Sequence, residues 1–163
     1  MIAFVTDPNS AVSPQQIEET RSAAKALEQP LLVLSAGTER EVTEAFATMV
    51  QQKASAVLYG ASTFYQVISA HLIELAVRHK IPACYEWRDA VVAGGLMSYN
   101  TNRDEIARQV GNYTAQILKG AKPTDLPVVL SSKFIFVINL TTAKALGLSI
   151  PPALLARADE VIE

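Results

Sequence analysis

The 163-residue sequence predicts an α/β fold, a parallel sheet flanked by helices on both faces. Short apolar runs such as Ile2–Thr6 and Leu31–Leu34 alternate with longer segments whose apolar residues recur at helical spacing. The runs close on turn-forming residues, for example Asp7-Pro8-Asn9-Ser10 and Gly60. Half of the residues are hydrophobic and only 18% are charged, so strands covered on both sides can be supplied. Together these features indicate βαβ units with right-handed crossovers.

Ile2 to Thr6 reads as the first strand. Ser13 then caps a helix, with Pro14 in its first turn and Gln16 completing a capping box. Its apolar face uses Ile17, Ala24 and Leu27, and Pro30 ends it before the second strand, Leu31 to Leu34. Thr38-Glu39-Arg40-Glu41 is another capping box, opening a helix with Val42, Ala45, Phe46, Met49 and Val50 on one side. Ala56 to Tyr59 is the third strand. Ser62 or Thr63 caps the following helix, whose core side is Val67, Ile68, Leu72, Leu75 and Ala76. Ile81 to Tyr85 is the fourth strand, with Pro82 near its start, where a missing N–H is tolerable.

Beyond residue 86 the rhythm changes. Arg88 to Ala93 is short, Gly94-Gly95 breaks it, and Leu96 to Tyr99 is extended. Thr101 or Asn102 caps a long helix carrying Ile106, Val110, Tyr113, Ile117 and Leu118, ended by Gly120. Phe134 to Ile138 is a further strand, followed by a short helix from Thr142 to Leu146. Pro151-Pro152 opens a last helix, Ala153 to Ile162.

Composition excludes several functions. With 14 Lys+Arg against 16 Asp+Glu there is no basic footprint for nucleic acid. No phosphate-cradling glycine loop occurs. His71 and His79 stand eight apart on one expected helix, not at the three or four of a metal pair. Cys84 has no evident base nearby and reads as a small buried strand residue. Asp7 follows the first strand as a phosphoacceptor would, but the third strand ends in Tyr59-Gly60 without the needed acid or lysine. No catalytic residue, metal ligand or cofactor is therefore expected.

Polar and aromatic residues gather at the carboxyl ends of the strands: Thr6, Asp7, Asn9, Ser35, Tyr59, Ser62, Thr63, Phe64, Tyr65, Tyr85, Glu86 and Trp87. Ligands of open parallel sheets sit outside those ends. Two readings stand side by side: a wall for a small organic ligand, or helix caps and rim packing.

Three stretches carry a resemblance. They are Tyr85-Glu86-Trp87-Arg88 with Ala93-Gly94-Gly95-Leu96-Met97-Ser98-Tyr99, then Ile117 to Pro127 (ILKGAKPTDLP), and the tail from Ile138-Asn139-Leu140 through Ala143 to Leu148 and Ile150-Pro151-Pro152. In order along the whole chain, they resemble the ABC-transporter substrate-binding proteins of the group containing the tryptophan-binding lipoproteins. The resemblance implies one Rossmann-like lobe of a type I periplasmic-binding-protein fold. Residues 1–95 then correspond to the carboxyl-terminal lobe, 96–132 to a crossover and long helix returning to the amino-terminal lobe, and 133–163 to the path back. On this basis the chain is about half of such a protein, lacking the amino-terminal lobe.

Carried over by position, the resemblance implies ligand contacts at Thr6, Asp7 and Asn9, at Ala61, Ser62 and Thr63, at Tyr85, Glu86 and Trp87, and at Tyr99, Asn100 and Asn102. Related proteins that bind amino acids can place an acid near the position of Asn102, which here carries no charge. The implied function is solute binding for an ABC-type importer, with an amino acid or aromatic compound as solute and permease subunits as partners. The alternative is a ligand-sensing or oligomerisation domain with no transport role. The family implies a periplasmic or membrane-anchored site of action, while the absence of a signal peptide implies the cytoplasm if Met1 is the true start. A homodimer through the 102–119 helix is expected, because that helix carries an apolar stripe.

Overall fold

The computed structural model describes residues 1–129 and 133–163; residues 130–132, the end of the expected crossover segment, lie outside the described residues. The chain divides into two compact units, Met1–Tyr99 with Phe136–Glu163, and Asn100–Ile135.

The elements run β1 (Ile2–Thr6), α1 (Ser13–Ala26), β2 (Leu31–Ser35), α2 (Glu39–Gln51), β3 (Ala56–Tyr59), α3 (Thr63–Val67), α4 (Ser69–His79), β4 (Ala83–Tyr85), α5 (Arg88–Val92), β5 (Met97–Thr101), α6 (Arg103–Leu118), β6 (Phe134–Asn139), α7 (Leu140–Ala145), α8 (Pro152–Leu155) and β7 (Glu160–Ile162). The strands make one sheet in the order β2-β1-β3-β4-β5-β6-β7. β1 lies parallel to both β2 and β3, with Phe4 beside Val33 and Leu58. The pairs β3:β4, β4:β5 and β6:β7 are parallel too. This is the α/β architecture that the apolar runs predict.

In the larger unit, the main core lies where α2, α3 and α4 cover one face of the sheet. Phe46, Met49, Leu72 and Leu75 pack with Ala3, Val5, Val57 and Ala83, and Phe46 also stacks on the His79 ring at 5.7 Å. Burying a side chain of this size contributes about 1.5–3 kcal/mol. Val91, Leu96, Val137, Ile138 and Ala143 are buried outside that cluster. Near the chain end, Arg88 meets Glu160 through two hydrogen bonds of 2.6 Å, joining α5 to β7.

Several local expectations give way to tertiary contacts. Ser13 does not cap α1; it sits inside the first turn and its hydroxyl donates to the Asp7 carbonyl at 2.6 Å. Leu27 is 71% exposed because it lies past the last helical residue, where the helical period no longer places it. Val67 is exposed as well, since Ile68 breaks the helix between α3 and α4 and resets its phase. The expected last helix stops at Leu155, and Glu160–Ile162 leaves it to pair with β6. Thr38 behaves as its motif predicts: its hydroxyl accepts from the Glu41 N–H at 3.3 Å, and Glu41 reaches back to the Gly37 N–H at 2.8 Å. The bond from the Gly37 N–H to the carboxylate is the chief cause that holds the Glu41 pKa below its ordinary value.

The smaller unit is built on α6. Asn102 caps it by accepting from the N–H groups of Asp104 and Glu105, at 3.0 and 3.2 Å. Gly120 follows its end at φ +99°, a conformation glycine adopts without strain. Tyr113 donates to the Pro127 carbonyl at 2.6 Å, and the Asn102 N–H reaches the Lys133 carbonyl at 3.0 Å. None of the residues of α6 is buried. Ile106, Val110, Ile117 and Leu118 are all exposed, Leu118 by 83%.

Candidate functional site

The candidate site of the larger unit is organised around Asp7, the first residue past β1. A strand ending here lets the Asp7 side chain turn back on the loop that follows. Asp7 is buried, and both of its carboxylate oxygens accept hydrogen bonds, Oδ1 from the Asn9 N–H at 2.9 Å and Oδ2 from the Ser62 hydroxyl at 2.6 Å. Its carbonyl accepts from the hydroxyl of Ser13 and the N–H of Ser10. Ser62 also caps α3 by accepting from the Phe64 N–H at 3.1 Å.

The turn at Ala61 is held from the same side. The Ala61 N–H donates to Gln16 Oε1 at 3.1 Å, and its carbonyl accepts from the Ser10 hydroxyl at 3.3 Å. Thr6 is buried at the end of β1, and its hydroxyl has no hydrogen-bond partner among the described residues. Asn9 and Thr63 are exposed at the rim. Two glycines make the loops fit. A Cβ at Gly37 would stand 2.5 Å from Asn9 Nδ2 and 3.2 Å from Asp7 Oδ1, and one at Gly60 would stand 3.0 Å from Gln16 Oε1.

The aromatic residues divide by depth. Tyr85 is buried in the core, its ring 5.4 Å from that of Tyr59. Tyr65 is buried and donates to the Ala36 carbonyl at 2.7 Å. Burial pushes the hydroxyl pKa values of Tyr59, Tyr65 and Tyr85 well above the ordinary tyrosine range. The three phenols are thus held neutral, with the Tyr59 ring between those of Tyr65 at 5.9 Å and Tyr85 at 5.4 Å. Glu86 and Trp87 are half-buried at the start of α5, and Tyr99 is exposed with its ring edge-on to Phe136 at 6.2 Å.

Of the expected contact residues, Asp7, Asn9 and Ser62 are brought together by direct hydrogen bonds, and Ala61 is tied to the loop after β1 through Ser10 and Gln16. Asn100 and Asn102 belong to the smaller unit, where the Asn100 side chain accepts from Thr101 and Asn102 Oδ1 is taken up by the α6 cap. Sequence reasoning missed Ser10, Gln16 and Gly37. Gln16 carried a signal, its place three residues after Ser13, but that spacing read as a local cap.

The sequence model of the family described as ABC transporter substrate binding protein matches residues 1–162. The chain belongs to this family. The motif resemblance along its length implied the same. It is a solute-binding family and not an enzyme family. An ABC domain in complex with L-Trp from Streptococcus pneumoniae superimposes with a TM-score of 0.87 at 25% identity, over 99% of this chain and 56% of that one. A conserved domain protein from Vibrio cholerae gives 0.88 at 26% identity, over 98% and 54% of the two chains. A ligand-free, open substrate-binding protein with adhesive properties from Clostridium difficile shares the fold, with a TM-score of 0.73 at 20% identity over 99% and 54%. This member of the family thus spans about half the length of the solved structures it resembles. No curated protein sequence matches it significantly.

Proposed function

We propose that this substrate-binding-family chain binds a small organic solute at the carboxyl ends of its strands and serves an ABC-type importer, with permease subunits as partners. The supporting observation is the polar rim after β1 and β3, where Asn9 and Thr63 are exposed above a fixed frame of Asp7, Ser62 and Ala61. An amino acid or an aromatic compound is the solute class. The complex of a 25% identical relative with L-Trp supports that choice. In this reading residues 1–95 are the carboxyl-terminal-lobe part, 96–132 the crossover and 133–163 the return path. Within the larger unit, Thr6, Tyr85, Glu86, Trp87 and Tyr99 complete the candidate solute-contacting set, and Asn100 and Asn102 are the candidates carried by the smaller unit. The family supports a place of work outside the cytoplasmic membrane; among the described residues no helix is long and apolar enough to cross a membrane.

Isothermal calorimetry and thermal-shift measurements with L-tryptophan, the other amino acids and simple aromatic acids test the reading. A solute that binds the folded chain raises its melting temperature in a concentration-dependent way. No heat and no shift with any compound of the panel would sink it.

One observation favours a second reading, an oligomerisation domain that pairs through the 102–119 helix. α6 presents Val110 and Leu118 to solvent at 60% and 83% exposure, and apolar surface of this kind marks interfaces. Light-scattering mass decides it: a dimer supports the pairing, and a monomer at high concentration removes it.

A further inference from the structure

Gln16 stands on the first turns of α1, yet its side chain works 45 residues away. The Ala61 N–H can be satisfied only by an acceptor, so the amide oxygen of Gln16 must face the turn, and it does so at 3.1 Å. Gly60 leaves room for this approach, since a Cβ there would press on Gln16 Oε1 and, at 3.2 Å, on the Phe4 ring. The same turn is held by Ser10 on the Ala61 carbonyl and by Asp7 on the Ser62 hydroxyl. Three side chains from the loop and helix after β1 therefore fix the turn after β3. Of these, only the Gln16 bond fixes a backbone donor of that turn. With Asp7 engaged by Ser62, and Ala61 by Ser10 and Gln16, the exposed residues Asn9 and Thr63 are left at the rim.

We propose that Gln16 is a positioning residue for the solute site: it keeps the turn Gly60–Thr63 in its binding shape by occupying the Ala61 N–H, without touching solute itself. This rests on the solute-binding reading for its purpose, although the latch can be measured without any solute. Order built in before binding spares the entropy of fixing the loop when a solute arrives.

Amide exchange of the full chain, followed by NMR, reads the latch directly. Gln16→Ala is expected to speed exchange at Ala61 roughly tenfold, the effect of losing one such bond. The Ala36 and Val57 amides, bonded to Thr6 and Pro82 within the sheet, should be unaffected. Gln16→Glu keeps an oxygen acceptor at the same reach and should restore slow exchange. In calorimetry, Gln16→Ala should weaken tryptophan binding roughly tenfold and Gln16→Glu should recover most of it. Equal Ala61 exchange in wild type and Gln16→Ala overturns the proposal. So does a rise spread evenly over the sheet, which would mark a residue that merely supports the fold, and so does an unchanged tryptophan affinity. A wild type that binds no compound of the panel, yet shows Ala61 protection dependent on Gln16, overturns the solute reading and upholds the latch.

Discussion

The Ser62 hydroxyl donates to Asp7 Oδ2 at 2.6 Å across 55 residues of sequence, joining the loop after β1 to the cap of α3. Asp7→Ala removes the acceptor for Ser62 and for the Asn9 N–H together. The buried Ser62 hydroxyl is then left without its partner while the Asn9 N–H at the exposed rim can turn to water, which together costs about 1–3 kcal/mol of folding stability. Urea denaturation measures it, and a loss below about 0.5 kcal/mol would show that water replaces the carboxylate freely.

Two glycine substitutions should separate binding from stability. In Gly37→Ala the new Cβ meets chiefly the tip of the Asn9 side chain, which can swing away, so stability falls by less than about 1 kcal/mol while solute affinity drops. In Gly95→Ala the Cβ meets the Ala90 carbonyl at 2.8 Å and the Tyr85 ring at 2.7 Å. Backbone and a buried ring cannot yield cheaply, and a loss of about 1–3 kcal/mol is expected. Denaturation and calorimetry on both variants check the contrast; equal stability losses would contradict it.

The Arg88–Glu160 pair makes a pH-dependent contribution. The hydrogen bond from Arg88 holds the Glu160 carboxyl below the ordinary glutamate value in the folded chain. A depressed folded pKa stabilises above the unfolded value and is lost as pH falls through the folded one. Wild type should therefore melt above Glu160→Gln near neutrality, and the two curves should converge in acid. Because the pair is largely exposed, the gap is small and shrinks with salt. Melting curves that stay parallel down to strong acid would rule the pair out as their cause.

Cys84 should be sluggish toward thiol reagents. Burial pushes its thiol up to about 11 from 9, so at pH 8 the reactive thiolate is roughly a hundredfold scarcer than in the unfolded chain. Iodoacetamide labelling of native and urea-unfolded protein measures the ratio. Rates within a factor of a few of each other would refute the shift.

Much of this architecture is legible in the sequence because burial on both faces writes strands as unbroken apolar runs, as in Ile2–Thr6 and Leu31–Ser35. Thr38 was readable as a cap, and Asn102 as one of two candidates with Thr101, because the groups they satisfy lie within three residues. Ser13 and Gln16 carried an equally good local signature and spend it elsewhere, on Asp7 and Ala61, partners that no local pattern announces. The end of the chain fails to read for the same reason. Glu160–Ile162 is a strand only because Val137–Asn139 lies beside it. At the site, the rim positions were visible from where strands end. That Asp7 would be saturated by its own neighbours was not, since hydrogen-bond saturation is a property of the assembled loops.

The sheet order carries a consequence for how the molecule comes into being. β1 lies between β2 and β3, so this central strand is completed only after Ala56–Tyr59 has followed it in synthesis. From β3 onward each strand is laid beside the one made just before it. Growth is then one-directional, and until β3 arrives Ile2–Thr6 can pair with Leu31–Ser35 on one edge only, its other edge open. Mutations that slow the arrival of β2 or β3 should accordingly show themselves as lost yield before they show themselves as lost stability.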